Sequence, residues 1–331
     1  MQKVIHSPDT YALFKAKKLK RQSEASRPSD YWDAYVQDIV KEVETNGLSG
    51  FGKTYALTRG FGDTWKYPNY SGLKFLFRPL LEARIRRLQK NRFKRAFASL
   101  QENLASQSQV EHFTKVFSDI PLLTQDFGIQ LTANTTFGPI PGAYLNALIY
   151  LFELEKNGII FGEHTNVLEI GGGYGALIDS LNLLYSNLSH GHSDCIDLFP
   201  ANYICYSYLR ARYGTLVGAR FDESQNIKRI EVLGTIDESQ LFSGRRYNLV
   251  FNSNSFQEMS IEQVEHYVTF AAECMTEDAL LCCFIYRSKH PTNSGDNALE
   301  ILNKNFSIRS CIEIDYPTTS GRLFVYEKRK D

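Results

Sequence analysis

Apolar and polar positions keep one rhythm in the first half of the chain and another beyond about residue 160. Near the start, "DYWDAYVQDIVKEVE" (30–44) repeats apolar residues at helical spacing behind Asp30, a suitable cap, and predicts a helix. The stretch 46–72, rich in glycine and aromatic residues, breaks that rhythm and reads as an ordered loop. Helical spacing returns from Leu73 to about Leu104 and again over Gln109 to Phe117. Gly138, Pro139, Pro141 and Gly142 then punctuate the chain before an apolar helix, Ala143 to Glu155, that ends near Gly158. This helix runs straight into the first predicted strand, so it is expected to pack on the sheet.

From there strands and helices alternate. "NVLEIG" predicts a buried strand, followed by a helix over Ala176 to Tyr185; "HSDCIDLF" predicts a second strand carrying Asp197, followed by a helix over Pro200 to Tyr213. "IKRIEVLGTI" and "YNLVFNSN" predict the third and fourth strands. Ser260 and Gln263 stand at capping-box spacing at the head of a helix reaching Met275, and "ALLCCFIYR" predicts a fifth strand. The chain closes with "FSIRSCIEIDYP" and "RLFVYEKR", two strands joined by the short turn "TTSG" and therefore antiparallel. Such alternation predicts an α/β fold, a mostly parallel sheet covered by helices on both faces. The expected division is a helical N-terminal substrate or cap region over 1–130 and a nucleotide-binding domain over 131–331.

Composition narrows the function classes. Lysine plus arginine equals aspartate plus glutamate at 37 each, so no global field favours nucleic acid or anionic lipid. The basic residues between Arg78 and Arg95 read as a solvated helix face, with one or two meeting a substrate phosphate as the narrower alternative. The six cysteines form no C-x-x-C pair, and several sit inside apolar runs, where they read as small, buried, reduced side chains. The apolar run Ala279 to Tyr286 is too short to span a bilayer, and the N-terminus lacks the apolar core of a signal peptide. A soluble cytoplasmic protein is expected. His190, His192 and Asp194 have metal-like spacing, but they precede a strand, at the wrong end of the sheet for chemistry. No metal is expected.

The chemistry centres on "TNVLEIGGGYGALIDSL" (165–181). Its glycines fit a dinucleotide turn, Gly171-x-Gly173-x-x-Ala176, and equally an acid followed by alternate glycines, Glu169-x-Gly171-x-Gly173-x-Gly175. Glu169 discriminates. A pyrophosphate over this turn would meet a carboxylate and be repelled, whereas the ammonium and sulfonium of S-adenosylmethionine favour one. The alternative is a Glu169 that points away and pairs with a basic residue. Asp197, at the second strand's end, suits ribose hydroxyls of either cofactor.

"VLEIGGGYGAL", "CIDLFP", "YNLVFNSNSFQEM" and the closing hairpin resemble class I S-adenosylmethionine-dependent methyltransferases. Within that class, "TFGPIPGAYLNAL" upstream and "NSNSFQEM" after strand four resemble a family of sugar O-methyltransferases. The resemblance covers roughly residues 120 to 331. It implies a Rossmann-like, mostly parallel seven-stranded sheet with the last strand antiparallel. It implies that Glu169, Gly171, Gly173 and Gly175 hold the methionine part and Asp197 the ribose, that Thr235 and Ile236 flank adenine, and that Asn252 floors the sulfonium. Two departures from the family stand out: Thr235 replaces a common acid, and "MTEDAL" replaces a glycine-bearing turn.

Transfer to a sugar hydroxyl calls for a base, because the hydroxyl is a poor nucleophile at neutral pH. Glu258 is the first candidate and His290 the second; an acid favoured by a helix N-terminus and a surface-loop histidine are the bland alternatives. Tyr144 is expected to close over the cofactor from the linker helix, or else to pack in the core. The expected activity is methyl transfer to a sugar hydroxyl on a nucleotide sugar, glycan or glycoside. An NAD-dependent oxidoreductase using the same turn, and a catalytically silent binding protein of this fold, are the competing readings.

Overall fold

In the computed structural model the described residues are 7–20, 30–48, 78–104, 108–111, 114–116, 132–135, 138–162, 164–185, 191–219, 228–234, 244–286 and 295–329. Three helices come first: α1 (Pro8–Lys20), α2 (Asp30–Asn46) and α3 (Arg78–Glu102). A small antiparallel ladder follows, β1 (Thr132–Thr135) with β2 (Gly138–Pro141), and then α4 (Gly142–Lys156). The alternating half runs β3 (Val167–Ile170), α5 (Ala176–Tyr185), β4 (Ser193–Ile196), α6 (Ala201–Tyr213), β5 (Val217–Ala219), β6 (Ile230–Leu233) and β7 (Tyr247–Ser253). It continues with α7 (Ile261–Cys274), β8 (Met275–Tyr286), α8 (Gly295–Asn305), β9 (Phe306–Tyr316) and β10 (Thr319–Lys328).

The main sheet has the order β5-β6-β4-β3-β7-β8-β10-β9. All its pairings are parallel except those of β10, which lies antiparallel between β8 and β9. This is a Rossmann-like, mostly parallel sheet with one strand more than the seven expected. The extra strand, β5, is only three residues long. Its middle residue, Gly218, leaves room for Glu231 and Lys228, whose side-chain atoms come within 2.7 and 2.8 Å of where a Cβ would stand. A three-residue strand broken by glycine carries no periodic signal.

β3 is buried at all four positions, as a strand covered on both faces must be. One core lies between the sheet and α4, α5 and α6, with α1, α2 and α3 layered outside it; the second lies under α7 and α8. α4 is buried almost all round, because it sits between the sheet and the outer helices. On α2, Val36, Ile39 and Val43 are each no more than 2 % exposed and form one apolar stripe at three- and four-residue spacing. Each such side chain contributes roughly 2 kcal/mol on burial.

Local signals held in detail. The Ser260 hydroxyl accepts from Gln263 N at 3.3 Å and Gln263 Oε1 accepts from Ser260 N at 2.9 Å, so the capping box that starts α7 is complete. α3 falls inside the predicted 73–104, and the helical residues 108–111 and 114–116 coincide with the predicted 109–117 to within one residue. α1 was not anticipated. Ser7 opens it by accepting from Thr10 N at 3.3 Å, with Pro8 in the first helical position, where its missing N–H costs nothing. The predicted loop 46–72 lies outside the described residues beyond Leu48. Among the described residues no helix is long and apolar enough to cross a membrane.

Candidate active site

The strand order reverses at β3, with β4 on one side and β7 on the other. A cavity of about 200 Å³ opens beyond the carboxyl ends of these strands, where ligands of open α/β sheets sit. Its floor is the glycine turn. Gly171 has φ +76°, and a Cβ there would lie 2.1 Å from Ser255 Oγ, so only glycine allows the loop after β7 to close onto the turn. Gly175 serves packing: a Cβ would press within 3.0 Å of Leu209 on α6, and Gly175 is not among the cavity-lining residues.

Asp197 ties the second strand's end to the turn. Its Oδ2 accepts from Gly173 N at 2.7 Å and its Oδ1 from Leu198 N at 2.6 Å. Burial nevertheless pushes its carboxyl up to about 7, outweighing the two amide donors that favour the charge. Glu169 is 3 % exposed and lines the same cavity. Its Oε2 is buried with no hydrogen-bond partner. Burial first, and then the neighbouring Asp197 charge, raises its carboxyl well above the usual range. The alternative of a Glu169 paired with a basic side chain therefore does not hold for Oε2.

Asn252 stands behind the cavity rather than on its wall. Fully buried, it donates to Ile170 O at 3.0 Å and to Ser255 Oγ, and accepts from Phe256 N at 3.2 Å. It latches the loop after β7 to the end of β3. Tyr144 likewise departs from the expectation that it closes over a cofactor. Its hydroxyl is bonded to Asp179 and Tyr208, and Asp179 in turn accepts from Arg212 Nε at 2.7 Å. The ring belongs to a buried polar cluster where α4, α5 and α6 meet, because the Asp179 carboxylate needs donors there. Neither residue is among those lining the cavity.

At the far end the cavity is lined by Asn254, Glu258 and Tyr286. Glu258 ends a short 3₁₀ turn, Ser255–Glu258, that carries it back toward the cavity. Tyr286, at the end of β8, is pushed up to about 12 by burial and by the Glu258 charge. One wall comes from α4, where Ala143, Asn146, Ala147 and Tyr150 share a face at helical spacing, and another from Val36 and Ile39 of α2. Sequence reasoning missed Asn146, Tyr150 and the α2 pair; the i, i+3, i+4, i+7 spacing on α4 marks a face but not what it meets. Thr235, Ile236 and His290 lie outside the described residues, as does His190. Asp194, from the same metal-like spacing, is engaged by Arg245 and accepts from the Tyr247 hydroxyl at 2.7 Å. Among the described residues no group of three or more His, Cys, Asp or Glu has the arrangement to hold a metal ion.

No family model matches the chain, and no curated protein matches it. Solved structures do. The O-methyltransferase TomG from Streptomyces achromogenes, involved in tomaymycin synthesis and in complex with SAM, matches with TM-score 0.43 and 12 % identity over 73 % of this chain and 99 % of that one. Magnesium protoporphyrin IX methyltransferase from Synechocystis PCC 6803 with bound SAM matches with TM-score 0.40 and 13 % identity over 71 % and 97 %. A Methanococcus jannaschii fibrillarin, a pre-rRNA processing protein, matches with TM-score 0.40 and 17 % identity over 55 % and 75 %. Likeness of this degree carries no activity and no substrate over to this chain.

Proposed function

We infer that the chain is an S-adenosylmethionine-dependent O-methyltransferase whose acceptor is a hydroxyl of a sugar. The observation that carries this reading is the Glu169 carboxylate, buried and with Oε2 unpartnered, facing the same cavity as Asp197 at the point where the strand order reverses. A buried anionic group is costly until a cation meets it. The described lining residues include three acids, Glu169, Asp197 and Glu258, and no Lys, Arg or His. A pyrophosphate is repelled by that set; an ammonium and a sulfonium are not.

The residues present fit the donor. Glu169 and the glycine turn take its methionine part, and Asp197 retains lone pairs for ribose hydroxyls after accepting two backbone amides. When bound, S-adenosylmethionine supplies an electrophilic methyl group, whose transfer to the acceptor oxygen breaks its bond to sulfur. Glu258 takes the proton that the acceptor hydroxyl loses. Asn252 fixes the loop that carries Glu258, and so fixes where that carboxylate stands. Val36 and Ile39 give the N-terminal helical region a share of the cavity wall, which supports its reading as a cap. The sugar acceptor is supported by "NSNSFQEM" and "TFGPIPGAYLNAL", both of which contribute lining residues.

Calorimetric titration with S-adenosylhomocysteine and with NADH tests the assignment. Micromolar binding of the first and none of the second is expected, and Glu169→Gln weakens that binding by about 10-fold or more, the loss of one charge-assisted contact. Preference for NADH sinks the reading.

A further inference from the structure

Two amide oxygens on side chains of the cavity wall have no use in the fold. Asn254 Oδ1 and Asn146 Oδ1 are both shut off from solvent and neither has a hydrogen-bond partner. Both side chains line the cavity that holds Glu169, Asp197 and Glu258. They reach it from opposite elements, Asn146 from the buried helix α4 and Asn254 from the turn after β7. Asn254 is also the non-glycine residue at positive φ, 72°, among the described residues. Asparagine tolerates the left-handed region better than other side chains, so the backbone there favours Asn or Gly. The Tyr150 and Tyr286 hydroxyls lie within hydrogen-bonding reach of the Asn254 side chain, so its amide group is already oriented. What both amide oxygens lack is a donor, and on Asn146 rotation about χ2 is soft enough to aim the terminal amide.

On the methyl-transfer reading, from which this follows, the unmet acceptors belong to the substrate. We infer that Asn146 and Asn254 read the acceptor, each amide oxygen accepting a hydrogen bond from a separate hydroxyl of one neutral, polyhydroxylated ring, while a further hydroxyl of that ring meets Glu258. Amides rather than carboxylates at these two points suit an uncharged donor. The carboxylates elsewhere on the wall disfavour an anionic acceptor, so the ring is taken as a glycoside rather than through a phosphate. A monohydric phenol would leave at least one amide unmet.

The test uses the full chain, labelled S-adenosylmethionine, a panel of methyl glycosides of hexoses and pentoses with their monodeoxy analogues, and simple phenols. Asn254→Gly keeps the backbone conformation, and Asn146→Ala favours its helix. Both variants are expected to bind S-adenosylhomocysteine within about twofold of wild type. Both should lose about 10- to 100-fold in kcat/KM on the best glycoside, mainly through KM, the range expected when a polar contact to a hydroxyl is removed. Each should also lose the wild type's discrimination against one deoxy analogue. Donor binding without transfer to any glycoside, transfer to phenols alone, or variants equal to wild type overturns the acceptor inference and leaves methyl transfer standing. Failure of wild type to bind S-adenosylhomocysteine overturns both. A ligand-free check is the Tm of Asn146→Ala, which should hold or rise; a fall of several degrees means the amide is already satisfied within the protein, and overturns Asn146's role.

Discussion

Glu169 and Gly171 stand two positions apart and answer to different forces. Gly171 is a steric requirement: its φ of +76° and the 2.1 Å approach of Ser255 Oγ to a Cβ position exclude any side chain. Gly171→Ala should therefore destabilise the protein by about 2 kcal/mol or more, the left-handed penalty plus displacement of the loop after β7. Gly158, at φ +79° with nothing within 4 Å of a Cβ, is the control, and Gly158→Ala should cost only about 1 kcal/mol by urea denaturation. Glu169, on the proposed reading, answers to electrostatics, and its consequence is read in protons. Its carboxyl is raised well above the usual range by burial, and Asp197 is raised to about 7 for the same reason. A cation arriving beside Glu169 favours ionisation, so donor binding should release protons near neutral pH. Titrations at pH 6.5 in buffers of different ionisation enthalpy should show that release, and Glu169→Gln should reduce it. The acid before the glycines was legible in the sequence. Its lack of a partner was not, because that depends on which basic side chains the fold brings near.

At the scale of elements, caps and stripes were legible because they are local. Ser260→Ala should cost about 1 kcal/mol of stability by chemical denaturation, the worth of an N-cap. α2 gives the contrasting case. Its apolar stripe was readable, but the cavity that Val36 and Ile39 wall was not. The contact joins residues more than a hundred positions apart in sequence, and helical periodicity says only that a face is buried. Ile39→Ala should lose about 2–4 kcal/mol on denaturation, as other buried truncations do, and should also weaken donor binding several-fold. A variant destabilised to that extent but binding normally would remove α2 from the site. Tyr144 marks the opposite error. An aromatic just before the strand–turn–helix unit suggests a lid, yet the Asp179 carboxylate draws its hydroxyl into the core.

For the whole molecule, the pH dependence of stability follows from the same two carboxyls. Both have folded values raised above their unfolded ones, so their protonated forms favour the fold. That contribution is complete below the unfolded carboxylate range and is lost as pH rises through the folded value, about 7 for Asp197. The free protein should therefore lose stability between about pH 4 and pH 7 more steeply than Asp197→Asn or Glu169→Gln does, as followed by chemical denaturation. Saturating S-adenosylhomocysteine should flatten that loss, since it binds the folded state and favours its ionised acids. A wild-type slope equal to those of the variants would show that neither carboxyl is raised.

Sequence alone determined the alternation of strands and helices, the antiparallel closing hairpin, the capping box and the acid-then-glycine turn. Each of these is written in residues within a few positions of one another, where backbone sterics and burial period act directly. Tertiary structure alone decided that Glu169 Oε2 has no partner, that Asn252 latches from behind while Asn146 and Asn254 face the cavity, and that α2 closes its wall. Those are properties of burial and direction between elements distant in sequence. They come into being only when the sheet brings the ends of β3, β4, β7 and β8 to one place.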